Sequence, residues 1–207
     1  GKKWVNPRLW QPIDPYLYFV QVEIRDARTN QLVDRRFERF GFREFWVRGT
    51  DFMFNGEKFM IQADTGMGPD LPRNRHQVKW MYSDANQQAN CNLTRWHVGG
   101  LDYPSNAELA DEMGMLLEVE GRFCDRPWFF DSNRNYLPDQ AAMAINWVAT
   151  QVKNQRNHPS IVMWSGDNED LATKPNARMT PTLESIKETV LNIVPAIRKV
   201  DPTRPVD

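Results

Sequence analysis

Over residues 16–24 the apolar side chains of Tyr18, Val20, Val22 and Ile24 recur at every second position, with Gln21 and Glu23 between them. Successive side chains leave a β-strand on opposite faces, so a period of two predicts a half-buried strand. Asp26-Ala27-Arg28-Thr29-Asn30 supplies turn chemistry, and residues 32–37 can return as a second strand. Pro7, Pro12 and Pro15 keep the preceding segment extended and irregular. A third strand-like run over 40–47 leads to Asn55-Gly56, a hairpin signal when it separates two apolar runs. The first 50 residues thus read as β-structure, the end of a small sandwich whose earlier strands lie outside this sequence.

After Lys58 the period changes. Short apolar runs at 59–63, 92–96, 115–119 and 161–164 alternate with segments of helical period, which predicts a parallel sheet with helical crossovers. Val78, Met81, Tyr82, Ala85 and Ala89 form one apolar stripe; Ala141, Ile145, Val148 and Val152 form another. Between them, Ser105-Asn106-Ala107-Glu108 has the form of a capping box, and Gly114 stands where a left-handed C-terminal residue is wanted. Thr180-Pro181 reads as an N-cap followed by Pro at N1, opening a helix with a kink or break expected near Pro195. Helix-to-strand connections are short, whereas the strand-to-helix connections 64–75, 97–104, 121–139 and 165–179 are long. In a β/α barrel those long loops sit at the C-terminal ends of the strands, where substrates bind.

Length and charge narrow the picture. A complete (β/α)₈ barrel takes about 250 residues, so 207 residues cannot hold one together with an accessory domain. Lys+Arg 26 against Asp+Glu 27, with no block of like charge, predicts neither a nucleic-acid nor a membrane partner. No run approaches the roughly 20 apolar residues of a membrane helix, and no signal peptide opens the sequence, so the compartment stays open between cytoplasmic and exported. Cys91 and Cys124 lie in no Cys-x-x-Cys pair and read as thiols. With three His and no ligand spacing, neither a metal nor another cofactor is expected. The 12% aromatic content fits a heavy core first and a surface that stacks on flat ligands second.

Chemistry concentrates after the run at 161–164, where Ser165-Gly166-Asp167-Asn168-Glu169-Asp170 follows at once. Taken alone, this is also the composition of an ordinary polar turn. In context, Asn157-His158-Pro159-Ser160-Ile161-Val162-Met163-Trp164-Ser165 followed by Asn168-Glu169 resembles the acid/base signature of glycoside hydrolase family 2, where an Asn-Glu pair ends barrel strand four. Leu9-Trp10-Gln11-Pro12, Phe40-Gly41-Phe42-Arg43-Glu44, Asn55-Gly56-Glu57-Lys58-Phe59 and Asp201-Pro202-Thr203-Arg204-Pro205-Val206 are similar to other stretches of that family, in the family's order.

The resemblance implies an α/β fold, the first half of a (β/α)₈ TIM barrel over 51–207, preceded over 1–50 by the end of an immunoglobulin-like β-sandwich. It also implies a retaining β-glycosidase acting on a β-linked oligosaccharide or glycoside. Glu169 matches the acid/base, which needs a raised pKa, and Asn168 matches the contact to the sugar 2-hydroxyl. The family's nucleophile, a Glu ending strand seven, has no counterpart here. The chain is therefore expected to be an internal piece of a longer protein, inactive alone, whose parent carries the other barrel half and an N-terminal sugar-binding-like domain.

Further substrate contacts are expected from Asp64, Arg95, His97, Glu120 and Trp128. Each has a second reading: Asp64 as a loop cap, His97 as a solvated loop residue, Glu120 as a charge partner, Trp128 as a loop anchor. His158 reads as structural, part of the turn before strand four. Trp96-His97-Val98-Gly99-Gly100 and Cys124-Asp125-Arg126-Pro127-Trp128 resemble the β-mannosidase and exo-β-glucosaminidase branch more than the galactosidase or glucuronidase type. A non-catalytic carbohydrate-binding protein on the same scaffold is the alternative.

Overall fold

The computed structural model describes residues 4–66, 74–96, 104–120, 137–166 and 183–206. Among these described residues nine strands fall into three sheets. β1 (Tyr18–Arg25) and β2 (Leu32–Phe40) form an antiparallel hairpin, and β3 (Phe45–Arg48), β4 (Asp51–Phe54) and β5 (Glu57–Phe59) form a meander. β6 (Ala63–Gly66), β7 (Leu93–Trp96), β8 (Leu116–Glu120) and β9 (Ile161–Ser165) then pair in parallel, in sequence order. Helices alternate with them: α1 (Arg75–Trp80), continuing into a π-helical turn over Met81–Gln87, α2 (Pro104–Met113), α3 (Pro138–Gln155) and, after β9, α4 (Leu183–Val200). This is α/β architecture, one side of a barrel. Among the described residues no helix is long and apolar enough to cross a membrane.

Alternation within the strands gives the parallel sheet two apolar faces. Trp96, Leu117, Val119, Ile161 and Trp164 are buried with Val78, Tyr82, Val148, Val152 and Ile197 of the helices. Leu93, Leu116 and Val162 join Trp10, Phe45 and Phe54, so the meander and the Trp10 segment close the lower end of the sheet's inner face. Each of these side chains contributes on the order of 1.5–3 kcal/mol by leaving water.

Five expectations change. The first parallel strand is Ala63–Gly66, not 59–63, because Asn55 and Gly56, with φ of 49° and 91°, turn the chain back and pair Glu57–Phe59 with β4. The run 40–47 is split, β2 ending at Phe40 and β3 starting at Phe45, with Arg43 between them donating to the Pro159 and Ile161 carbonyls. Val20, Val22 and Ile24 are exposed rather than half-buried; their cross-strand neighbours Glu38, Arg36 and Asp34 are charged. α4 runs on through Pro195, whose ring and the Leu191 carbonyl it leaves unpaired lie on exposed positions of the helix where water can serve instead. Likewise α2 starts at Pro104, one residue ahead of the expected Ser105 cap.

Gly114 behaves as its position predicts. Its φ of +72° ends α2, and a Cβ there would lie 2.0 Å from the Pro12 carbonyl oxygen, so the Trp10 segment reaches the helix end only across a glycine.

The tail after α4 locks β9 from its other side. Val206 bridges to Trp164 in parallel, and Asp201 accepts from the Trp164 indole at 2.8 Å, the Thr203 hydroxyl at 2.6 Å and Arg204 at 2.6 Å. Burial alone would push the Asp201 carboxyl up; the Arg204 charge and these hydrogen bonds outweigh it and hold the pKa below the ordinary value of 3.8. A depressed folded-state pKa means that the stabilisation is complete above the unfolded value and is lost as pH falls through the folded one. Asp201→Asn should therefore cost about 3 kcal/mol near neutral pH, and its urea midpoint should fall less than the parent's between about pH 5 and about pH 2.

Candidate active site

The register of the parallel sheet decides which side chains meet at its C-terminal end. Arg95 pairs with Glu118, and Glu120 pairs with Ser165. Leu93 and Arg95 of β7 therefore share the inner face with Leu116, Glu118 and Glu120 of β8. The same face is apolar at the bottom, where Leu93 and Leu116 meet the meander, and charged at the top. Arg95 Nη2 donates to Glu120 Oε2 at 2.5 Å, and its Nε lies 3.2 Å from Glu118 Oε1. Glu120 is fully buried and the Arg95 side chain 28% exposed. Two carboxylates thus converge on one guanidinium, next to a buried Ser165 at the end of β9.

Burying Glu120 is costly without its counter-charge, and the charge-assisted contact to Arg95 offsets that cost while fixing both side chains. Held in this way, the carboxylates are rigid acceptors on the inner face, suited to receiving hydroxyl groups or to setting the local field. Among the described residues no cluster of His, Cys, Asp and Glu could hold a metal ion.

Of the sequence-derived candidates, Arg95 and Glu120 are brought into direct contact. Asp64 is not with them. It lies within β6 instead of after it and pairs with Thr94, so it points to the face opposite Thr65 and Arg95, exposed, its carboxylate accepting the Thr65 amide at 2.7 Å. His97, Trp128, Asn168 and Glu169 lie outside the described residues. Sequence reasoning did not join Glu118 to Arg95 or place Ser165 beside Glu120, since both facts depend on cross-strand register; the shared period of Leu116, Glu118 and Glu120 was the available signal. His158 is structural: Nδ1 lies 2.6 Å from the buried Asp111.

The sequence model described as "Glycosyl hydrolases family 2, TIM barrel domain" matches residues 43–207, and "Glycosyl hydrolases family 2" matches residues 2–43. A β-glucuronidase of Paenibacillus borealis is 30% identical over 217 aligned positions, covering 97% of this chain and 33% of that protein. β-Mannosidase A of Aspergillus clavatus is 29% identical, with 79% of this chain and 19% of that protein covered. The solved structure of a Bacteroides uniformis β-glucuronidase superimposes with a TM-score of 0.75 at 25% identity, over 98% of this chain and 24% of that one. The chain thus spans a third or less of the length of these relatives.

The Arg95–Glu120 contact can be tested apart from any activity. Arg95→Met should destabilise the fold by about 3 kcal/mol by removing the guanidinium on which the Glu118 and Glu120 carboxylates converge. Combining it with Glu120→Gln should recover part of that loss, a coupling above about 1 kcal/mol in a double-mutant cycle read by urea denaturation.

Proposed function

The chain belongs to glycoside hydrolase family 2, whose barrel-domain model matches residues 43–207, and from that membership we propose that it is part of a retaining β-glycosidase acting on terminal non-reducing β-D-glycosides. The observation that carries this reading is the end of β9. Its last residue pairs with Glu120 of the Arg95 cluster, and the Asn168-Glu169 pair follows three and four residues later in the sequence.

In this reading residues 1–50 close an immunoglobulin-like domain and residues 51–207 form the first half of the barrel. Glu169 protonates the glycosidic oxygen as a second carboxylate, supplied by the later part of the barrel, attacks the anomeric carbon; the C–O bond breaks and a covalent glycosyl-enzyme forms. Glu169, now a carboxylate, takes a proton from water, and the hydroxide equivalent displaces the enzyme carboxylate from the sugar. Asn168 holds the 2-hydroxyl, a contact that counts most in the oxocarbenium-like transition state. Arg95 and Glu120 line the floor of the sugar site, with His97 and Trp128 contributing from the loops. Gly99-Gly100 after β7 favours a β-mannosidase or exo-β-glucosaminidase-like preference, with a β-galactosidase-like one next.

In the full-length protein, Glu169→Gln should lower kcat/KM on glycosides with poor leaving groups by about 10²–10⁴-fold. Aryl glycosides with activated leaving groups should still form the glycosyl-enzyme, and azide should restore their turnover by intercepting it as the β-glycosyl azide. Equal loss on both substrate classes with no azide product would remove Glu169 from the acid/base role.

A further inference from the structure

A second polar site lies at the other end of β9. Residues 41–46 approach the turn ahead of β9 and the 201–206 tail, leaving a cavity of about 620 Å³. Arg43, Arg156 and Arg204 line it, with Glu44 as the one acidic residue among the lining residues.

The three arginines differ in what already satisfies them. Arg204 is fully engaged: Nε donates to the Ile161 carbonyl at 2.6 Å, Nη1 to Asp201 at 2.6 Å, and Nη2 to the Arg156 and His158 carbonyls at 2.9 Å each. Arg156 donates to the Val200 carbonyl through Nη1. Arg43 donates through Nε to the Pro159 carbonyl at 2.9 Å and through Nη2 to the Ile161 carbonyl. Among the described residues its Nη1 has no acceptor, and neither Arg43 nor Arg156 has a carboxylate within 4.0 Å.

A guanidinium keeps its charge in proteins, so a half-buried one without a counter-ion is a standing electrostatic cost. For Arg43 burial pushes the pKa well down and the Arg204 charge adds to it, while Asp201 and Asp111 compensate only in part. The group that would relieve this is an anion with oxygens placed for the open edge of a planar fork.

We propose that this cavity is a binding site for a small oxyanion, a carboxylate or a phosphate, held by Arg43 Nη1 with Arg156 beside it. Glu44 opposes the anion from the same wall and sets its affinity. The site is separate from the Arg95–Glu120 cluster, at the N-terminal rather than the C-terminal end of β9. It ties residues 41–46 to the turn that starts the strand, so occupancy stabilises the folded chain by mass action.

Thermal unfolding of the protein titrated with sodium phosphate and, separately, sodium acetate, against sodium chloride at matched ionic strength, tests this. A saturable rise in Tm with at least one oxyanion and not with chloride is expected, and which of the two acts tells phosphate from carboxylate recognition. Arg43→Met should weaken the midpoint by at least about tenfold, the loss of one charge-assisted hydrogen bond. Glu44→Gln leaves every bond of Arg43 in place and should lower the midpoint, which keeps the test open if the Arg43 variant does not fold. No oxyanion-specific rise, a rise that survives Arg43→Met, or a midpoint unmoved or weakened by Glu44→Gln would overturn the proposal.

Discussion

Asp111 sits on α2 with 1% of its surface exposed, and its two carboxylate oxygens are divided between the Ser160 amide at 3.0 Å and His158 Nδ1 at 2.6 Å. Its backbone carbonyl accepts the Trp10 indole at 2.8 Å, and Arg39 of β2 reaches within 3.8 Å of its carboxylate. A buried carboxylate is tolerated only while such partners stay in place, and removing one leaves an uncompensated charge that costs several kcal/mol. α2, the turn before β9, the Trp10 segment and β2 are therefore fixed relative to one another by one residue, through its carboxylate and its backbone carbonyl. The Ser160 carbonyl passes the constraint on, accepting from Leu117 of β8 at 2.8 Å as the parallel pairing begins.

That constraint sets the position of the candidate site. β9 starts where Asp111 holds Ser160, and four residues later its end lies against Glu120. From below, Arg43 and Arg204 both donate to the Ile161 carbonyl, and Arg204 lies over the Trp164 ring at 5.6 Å. The bottom of the sheet is thus built from side chains that grip backbone and one another. The top holds Arg95 with the carboxylates of Glu118 and Glu120, on the inner face at the end where β/α barrels place their chemistry.

The last three parallel strands, the existence of the four helices and the Asn55-Gly56 turn were legible because each rests on local chemistry: apolar period, helix-terminal residues, and glycine or asparagine at positive φ. Errors arose where a distant partner decides. Phe59 reads as the first barrel strand until Phe54, 5.4 Å away, draws it into the meander. Asp64 reads as a site residue until register with Thr94 turns it to the other face. Arg95 and Glu120 were legible as residues near strand ends, but not as a contact pair with Glu118. Asp111 carried no signal at all, since an aspartate between Ala110 and Glu112 in an amphipathic helix looks like part of a solvated face.

The dependence of β9 on Asp111 is measured most directly by amide hydrogen exchange in Asp111→Ala against the parent protein, followed in peptides covering residues 157–165 and the β1–β2 hairpin. Protection across 157–165 should fall in the variant, led by the Ser160 amide that loses its acceptor, while the hairpin exchanges as before. Unchanged protection at 157–165 in the folded variant would contradict the account.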